Sequence, residues 1–313
     1  MTRGNTAMIV VTLCVVAAGG LSVSCDNSRG RLPKSGGAPY EVLVVGDKDN
    51  LVKKALSADM ECLPQREPEF DVSTVSADGW GATLKLARNI VIVDINPKSY
   101  DKTKIKLAHN VYAQPQIVAC VQSPSVDSLR RHLPAYASTL IKTLGKAETK
   151  ASIERLSKHR NTQAEKMLKE WLGVDMWIPQ DMVSSKRGKN FVWLSNNSPT
   201  GMQNIMIYKH DAPRGIKDFV AMRDSVAHVN IKGETDNMSM ATVAATVAAY
   251  KTKQNGHDVI VFRGLWEMKG DDMGGPFVSH SVGNVTAEAF VFAPGKKKRN
   301  LLRQIEAALY TLK

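Results

Sequence analysis

The stretch from Arg263 to His280 reads RGLWEMKGDDMGGPFVSH and crowds together side chains that could do chemistry. If it begins as a strand, alternation puts Arg263, Leu265 and Glu267 on one face and Phe262, Gly264, Trp266 and Met268 on the other. Asp271, Asp272, Gly274 and Gly275 then form an acidic turn, and His280 returns on the next strand. An arginine, a tryptophan, a carboxylate and an imidazole gathered by one hairpin could line a ligand cleft. Glu267, Asp271, Asp272 and His280 could also serve acid–base work on glycans, but adjacent aspartates in a turn have no defined separation. A plain structural reading fits the same letters. Trp266 and Phe277 would fill a core, Arg263 and Glu267 would pair with neighbours, and the glycines would serve the turn. Ser279 and Ser281 flank His280, yet neighbours in a strand point to opposite faces and no third group is placed to orient a base.

Lys296, Lys297, Lys298 and Arg299 form a second cluster. They stand at the start of a helical pattern, where the backbone dipole already presents positive charge, so each cation is unfavourable by a few tenths of a kcal/mol. A bound anion would offset this, because helix N-termini hold phosphate or carboxylate. Acidic side chains from elsewhere in the chain, or solvation, would do the same.

Other chemistries lack their spacing. There is no His-x-x-x-His pair, no Cys-x-x-Cys, no Gly-rich phosphate loop and no Gly-x-Ser-x-Gly elbow. No catalytic residue, metal site or cofactor is therefore assigned.

Residues 1–24 have the order of a secretory signal peptide: Arg3, an uncharged apolar run from Ala7 to Ala18, then small residues. The most apolar part is about 12 residues, short of the ~20 needed to span a bilayer. Cys25 follows Ser24 as the modified cysteine of a bacterial lipoprotein would, although Leu21 stands four residues before it, where such leaders place leucine at three. A plain cleaved leader is the alternative. Acyl chains on Cys25 would tether the protein, each buried CH₂ contributing about 0.8 kcal/mol. Residues 25–39, rich in Gly, Pro and Ser, read as the tether.

The chain has 313 residues, 43% apolar and 23% charged, which excludes a wholly disordered chain and a polytopic membrane protein. Its net charge is +12, and loss of Arg3 with the leader leaves 41 cations against 30 acids, or +11. Such a body is expected to be drawn to anionic lipid, glycan or an envelope protein partner. Nucleic acid is not expected as a partner, with aromatics at 6% and no basic–aromatic interleave. After processing, Cys62 and Cys120 remain, and export permits a disulfide between them; a buried free thiol is the alternative for Cys120.

The elements that must position these groups follow from periodicity. Strands are expected at Glu41–Val45, Asn89–Ile95 and 116–121, with helices at 49–60 and 126–144, the latter kinked at Pro134. A charged helix is expected at 148–171. Short strands follow at 175–178, 191–194 and 205–208, then a helix at 216–226. Asn255-Gly256 joins extended segments at 242–250 and 258–268 as a hairpin. Strands at 277–281 and 285–292 and a helix at 297–312 close the chain. The expected fold is α+β: an α/β unit over 40–145, then an antiparallel sheet with packed helices over 146–313.

The leader, LPQREPEF (63–70), ARNIVIVDI (87–95), NFVW (190–193), RDS (223–225), RGLWEM, MGGPFVSH and the basic tail together resemble a family of lipoproteins of the Bacteroidota built on a domain of unknown function. The resemblance covers essentially the whole processed chain. It implies a cell-envelope location, facing periplasm or cell surface, and no particular reaction. The function expected is that of a lipid-anchored envelope protein binding an anionic ligand or partner protein. An envelope hydrolase or transferase acting through the 263–280 hairpin, and a structural scaffold, are the alternatives.

Overall fold

A computed structural model describes residues 31–313 apart from Arg214 and Asp236. The leader and Cys25 lie outside the described residues. The fold is mixed α+β, with twelve strands and five α-helices among the described residues. Chain contacts divide it into two units: residues through Asp59 with Pro68–Glu148, and Met60–Glu67 with Thr149–Lys313. No described helix is long and apolar enough to cross a membrane.

The first unit is built on a five-stranded sheet in the order β2-β1-β3-β5-β4. Strands β1 (Glu41–Val45), β2 (Asp71–Val75), β3 (Asn89–Ile95) and β5 (Ile117–Ser123) are parallel, and β4 (Lys104–His109) is antiparallel to β5. The apolar run of β3 is covered on both faces, as a central parallel strand requires. Val91 and Val93 pack with Leu56 of α1 (Leu51–Leu56) and with Leu129, Leu133 and Leu140 of α2 (Val126–Leu156). Ile90 and Ile92 pack on the other face with Val118 and Cys120.

The second unit carries a seven-stranded antiparallel sheet in the order β6-β7-β8-β12-β11-β10-β9. Its strands are β6 (Ser184–Gly188), β7 (Phe191–Ser195), β8 (Met202–Lys209), β9 (Ser239–Gln254), β10 (His257–Lys269), β11 (Gly274–Val282) and β12 (Val285–Phe292). One face buries Ile205, Val261, Val278 and Ala289 against α3 (Thr162–Leu172) and α5 (Arg299–Leu309). The other buries Phe262, Trp266, Phe277 and Phe290 against Phe219 and Ala227 of α4 (Ile216–Asn230). Asn255 and Gly256 both adopt positive φ, 50° and 85°, so the β9–β10 turn is the tight hairpin their types favour.

Several elements differ from the sequence reading. Strands β2, β4 and β6 read DVSTV, KIKLAH and SSKRG; each is an edge strand with a solvated face, so none shows an apolar run. Helix α2 continues through Pro134 and Gly145 to Leu156. The break falls instead before Thr162, where the Asn161 side chain accepts the Ala164 N–H at 3.0 Å and starts α3. Residues 175–178 are not a strand. They alternate in burial, but the Trp177 N–H goes to Thr311 Oγ1 (2.9 Å) and the Ile178 N–H to Glu165 Oε1 (2.9 Å), so side chains take the place of a neighbouring strand.

Candidate functional site

The hairpin alternation holds, and it separates the residues that were expected to converge. Arg263 and His280 point to the α5 face, while Trp266 lies in the core beneath α4. Glu267, near the strand end, is half-buried and pairs with Lys269. The four candidates therefore do not line one cleft, although Arg263 Nη1, Trp266 Nε1 and His280 Nε2 are each buried without a hydrogen-bond partner.

On the α5 face, the Arg263 guanidinium pairs with the buried Glu306 carboxylate. His280 is fully buried. Its Nδ1 lies 2.9 Å from Gln254 Oε1 and its Nε2 3.8 Å from Glu306 Oε1. Tyr310 donates to Glu306 at 3.4 Å and stands edge-on to the His280 ring. Burial alone would raise the Glu306 carboxyl, but the charge of Arg263 and the nearby imidazole overcome this and hold it at about 2. Burial opposes the Arg263 charge, and Glu306 reverses that, so the guanidinium is held more firmly protonated than in water.

The α4 face holds a second ion pair. Arg223 of α4 is completely buried and donates to Glu288 of β12 through Nε at 3.0 and 3.1 Å and Nη2 at 2.8 Å. Ser279 Oγ donates to the same carboxylate at 2.6 Å. Arg223 Nη1 reaches Thr242 Oγ1 at 2.9 Å, and Thr242 in turn donates to Asp224 at 2.6 Å. The guanidinium also lies 4.3 Å from the centre of the Phe277 ring. Burial, with Glu288 adding to it, pushes the nearby Tyr208 phenol well above its ordinary range. Periodicity assigns Arg223 and Glu288 no role, yet Phe219, Arg223 and Ala227 are spaced by four along α4. A cation in an apolar stripe was the available signal.

These contacts account for much of the RGLWE and MGGPF pattern. A Cβ on Gly275 would stand 2.0 Å from the Val291 carbonyl oxygen and 3.1 Å from Trp266 Nε1. A Cβ on Gly264 would stand 2.9 Å from the Phe277 ring. The glycines admit the two aromatics to the sheet face.

The basic run also finds its anion inside the chain. The Glu67 carboxylate accepts the Lys298 N–H at 2.7 Å and the Arg299 N–H at 3.0 Å, satisfying the start of α5. Lys298 and Arg299 are buried there, and Lys296 and Lys297 are exposed. Glu67 lies in a Pro-flanked irregular stretch with no periodic signal. Cys62 and Cys120 are not bridged: Cys62 donates to the Thr246 carbonyl at 3.4 Å, and Cys120 is buried in the first unit, so the disulfide that export would permit is not formed. Among the described residues no group of His, Cys, Asp and Glu could hold a metal ion.

Two open clefts lie elsewhere in the second unit. One, of about 350 Å³, is lined by Lys251, Asp258 and Ser281. Ser281 Oγ is 2.7 Å from Thr286 Oγ1, which is 2.7 Å from His210 Nε2. The other, of about 310 Å³, has buried Ser152, Gln203 and Ile305 among its walls and Arg155, His159, Asp181 and Gln304 at its exposed rim. Ser152 Oγ is buried without a hydrogen-bond partner. Gln203 is fixed by donating to the Leu301 carbonyl at 2.7 Å and accepting from Asn196 at 3.2 Å.

Two domains of unknown function match this chain: DUF4837 over residues 161–311 and DUF8532 over residues 35–157. The first contains the RGLWE and MGGPFVSH segments. No curated protein matches the chain. Among solved structures, a crystal structure from Bacteroides thetaiotaomicron at 1.50 Å resolution is similar at 19% identity with a TM-score of 0.20. That match covers 46% of this chain and 44% of the other, so it spans less than half of its relative.

Proposed function

We propose that this chain is a lipoprotein of the cell envelope, of the kind found in Bacteroidota, tethered to a membrane through Cys25. It binds an acidic sugar unit in the 310 Å³ cleft of its second unit. The leader, the Gly- and Pro-rich 25–39 segment and the net positive charge support the tether. The observation that carries the ligand reading is where the chain's own carboxylates go. Arg263 is taken by Glu306 and the start of α5 by Glu67, whereas Arg155 at the cleft has no ion-pair partner among the described residues.

The cleft presents both signs, Arg155 and His159 beside the Asp181 carboxylate, which accepts from Asn196 at 3.5 Å, and so suits a monosaccharide with one carboxylate to meet the cations and hydroxyls to donate to Asp181. Arg155 and His159 would meet a carboxylate. Gln180, Gln304 and Ser152 offer donors and acceptors to hydroxyls, and Leu156, Met182 and Ile305 offer apolar surface to a ring face. Calorimetric titration with glucuronate, with glucose as the neutral control, tests this reading. Glucuronate should bind measurably and glucose at least tenfold more weakly. Arg155→Gln should remove about tenfold in affinity, the value of one charge-assisted hydrogen bond. Equal binding of the two sugars, or an unchanged affinity in the variant, would overturn it.

A further inference from the structure

The β6–β7 hairpin carries Lys186 and Arg187 on β6 and Lys189 in its turn, all exposed. None of the three is in an ion pair among the described residues. The hairpin is held in place by its neighbours rather than by charge. Lys186 Nζ donates to the Asn230 carbonyl at 2.8 Å, at the end of α4. Trp171, in the last turn of α3, donates its indole N–H to the Gly188 carbonyl at 3.1 Å. The Arg187 guanidinium stacks over the Trp171 ring, 5.0 Å from its centre. Trp171 is nonetheless 50% exposed, and Val229, beside Asn230, is 68% exposed. The nearby acids are already engaged: Glu170 with Lys166 at 3.8 Å and Asp175 with Lys169 at 3.9 Å.

We infer that this hairpin, with Trp171 and Val229, is the surface by which the body rests on an anionic lipid bilayer. Three cations without carboxylate partners complement a negative headgroup layer. A tryptophan whose N–H is satisfied but whose ring is half in solvent has the amphipathic form that settles at headgroup level. Lys186 and Lys189 can keep their ammonium groups among phosphates while their stems cover apolar surface. The Lys296–Arg299 run is less suited, since its buried members are committed to the start of α5 and to Glu67. This inference deepens the tethered reading, and its test is arranged so that the two can fail separately.

The full chain is reconstituted with vesicles of brominated phosphatidylglycerol, and with vesicles of brominated phosphatidylcholine as the neutral control. The emission of Trp171, taken as the difference between wild type and Trp171→Phe, should be quenched in the anionic vesicles alone. Replacing Lys186, Arg187 and Lys189 by glutamine should abolish that quenching. Each neutralised cation should weaken association about fivefold at low salt, so the triple variant should lose about a hundredfold. If the protein floats with anionic vesicles while Trp171 stays unquenched, or if quenching survives in neutral lipid or in the triple variant, the surface is wrongly assigned. Failure to associate with anionic vesicles at all would overturn it as well. Acylation of Cys25 is read independently by mass, so a missing tether and a misplaced surface give different results.

Discussion

Glu288→Gln should be among the most damaging conservative substitutions in the second unit. The change preserves shape and removes one charge. It removes the two-pronged carboxylate partner of the Arg223 guanidinium, which has no exposure, and leaves only the partly exposed Asp224, 3.9 Å from Nη1. Breaking a buried pair from one side is destabilising by about 3–5 kcal/mol, because the remaining charge is stranded. For a unit of this size each kcal/mol moves the midpoint by about 2–4 °C, so the thermal transition should fall by roughly 6–20 °C. Replacing both partners, as Arg223→Met with Glu288→Met, should recover most of that loss, since an apolar pair of similar volume removes the stranded charge. Tryptophan fluorescence during urea unfolding is a suitable readout, with Trp193 and Trp266 both packed near this face. A loss below about 1 kcal/mol in Glu288→Gln would refute the reasoning. So would a double variant as unstable as the sum of its singles.

Glu67→Gln should weaken the start of α5 by about 1–2 kcal/mol, measured by chemical denaturation, because two backbone N–H groups lose a charged acceptor. Gly275→Ala should prevent native packing of the second unit, visible as lost near-ultraviolet dichroism, because the new methyl would meet the Val291 carbonyl at 2.0 Å. The Glu306 carboxyl is held at about 2 in the fold, below its ordinary 4.5. Its contribution is therefore complete above about 4.5 and disappears as pH falls toward 2. It amounts to about 3 kcal/mol, so stability measured between pH 5 and 3 should fall, and Glu306→Gln should flatten that part of the curve. Burial depresses the His210 imidazole, so acidification through its ordinary range should cost stability, and His210→Gln should lessen the dependence between pH 7 and 5.

Periodicity and turn chemistry made the central elements legible. The NIVIVDI run marked β3 because a strand covered on both faces needs no polar alternation. Asn255-Gly256 overrode the helical composition of residues 241–249, since a two-residue turn with positive φ fits only a hairpin. Edge strands were not legible. Their stability comes from backbone pairing with one neighbour, whether distant, as Asp71–Val75 pairs with Glu41–Val45, or adjacent, as Ser184–Gly188 pairs with Phe191–Ser195, and their side chains look like loop. The hairpin residues drew notice for the right reason and the wrong purpose. His280 is buried and Arg263 half-buried, but the partner that settles their role is Glu306, 43 residues beyond Arg263 on a helix. Glu67 serves Lys298 from 231 residues away, and local spacing holds no trace of such a pairing. The cleft residues come from four separate segments and were invisible for the same reason.

Intact mass spectrometry of the chain purified from the membrane fraction decides whether the processed protein is held there by a lipid on Cys25, as proposed. The claim predicts a chain beginning at Cys25 and carrying the added mass of a diacylglyceryl group. A chain that retains residues 1–24, or one whose Cys25 thiol is unmodified, contradicts it.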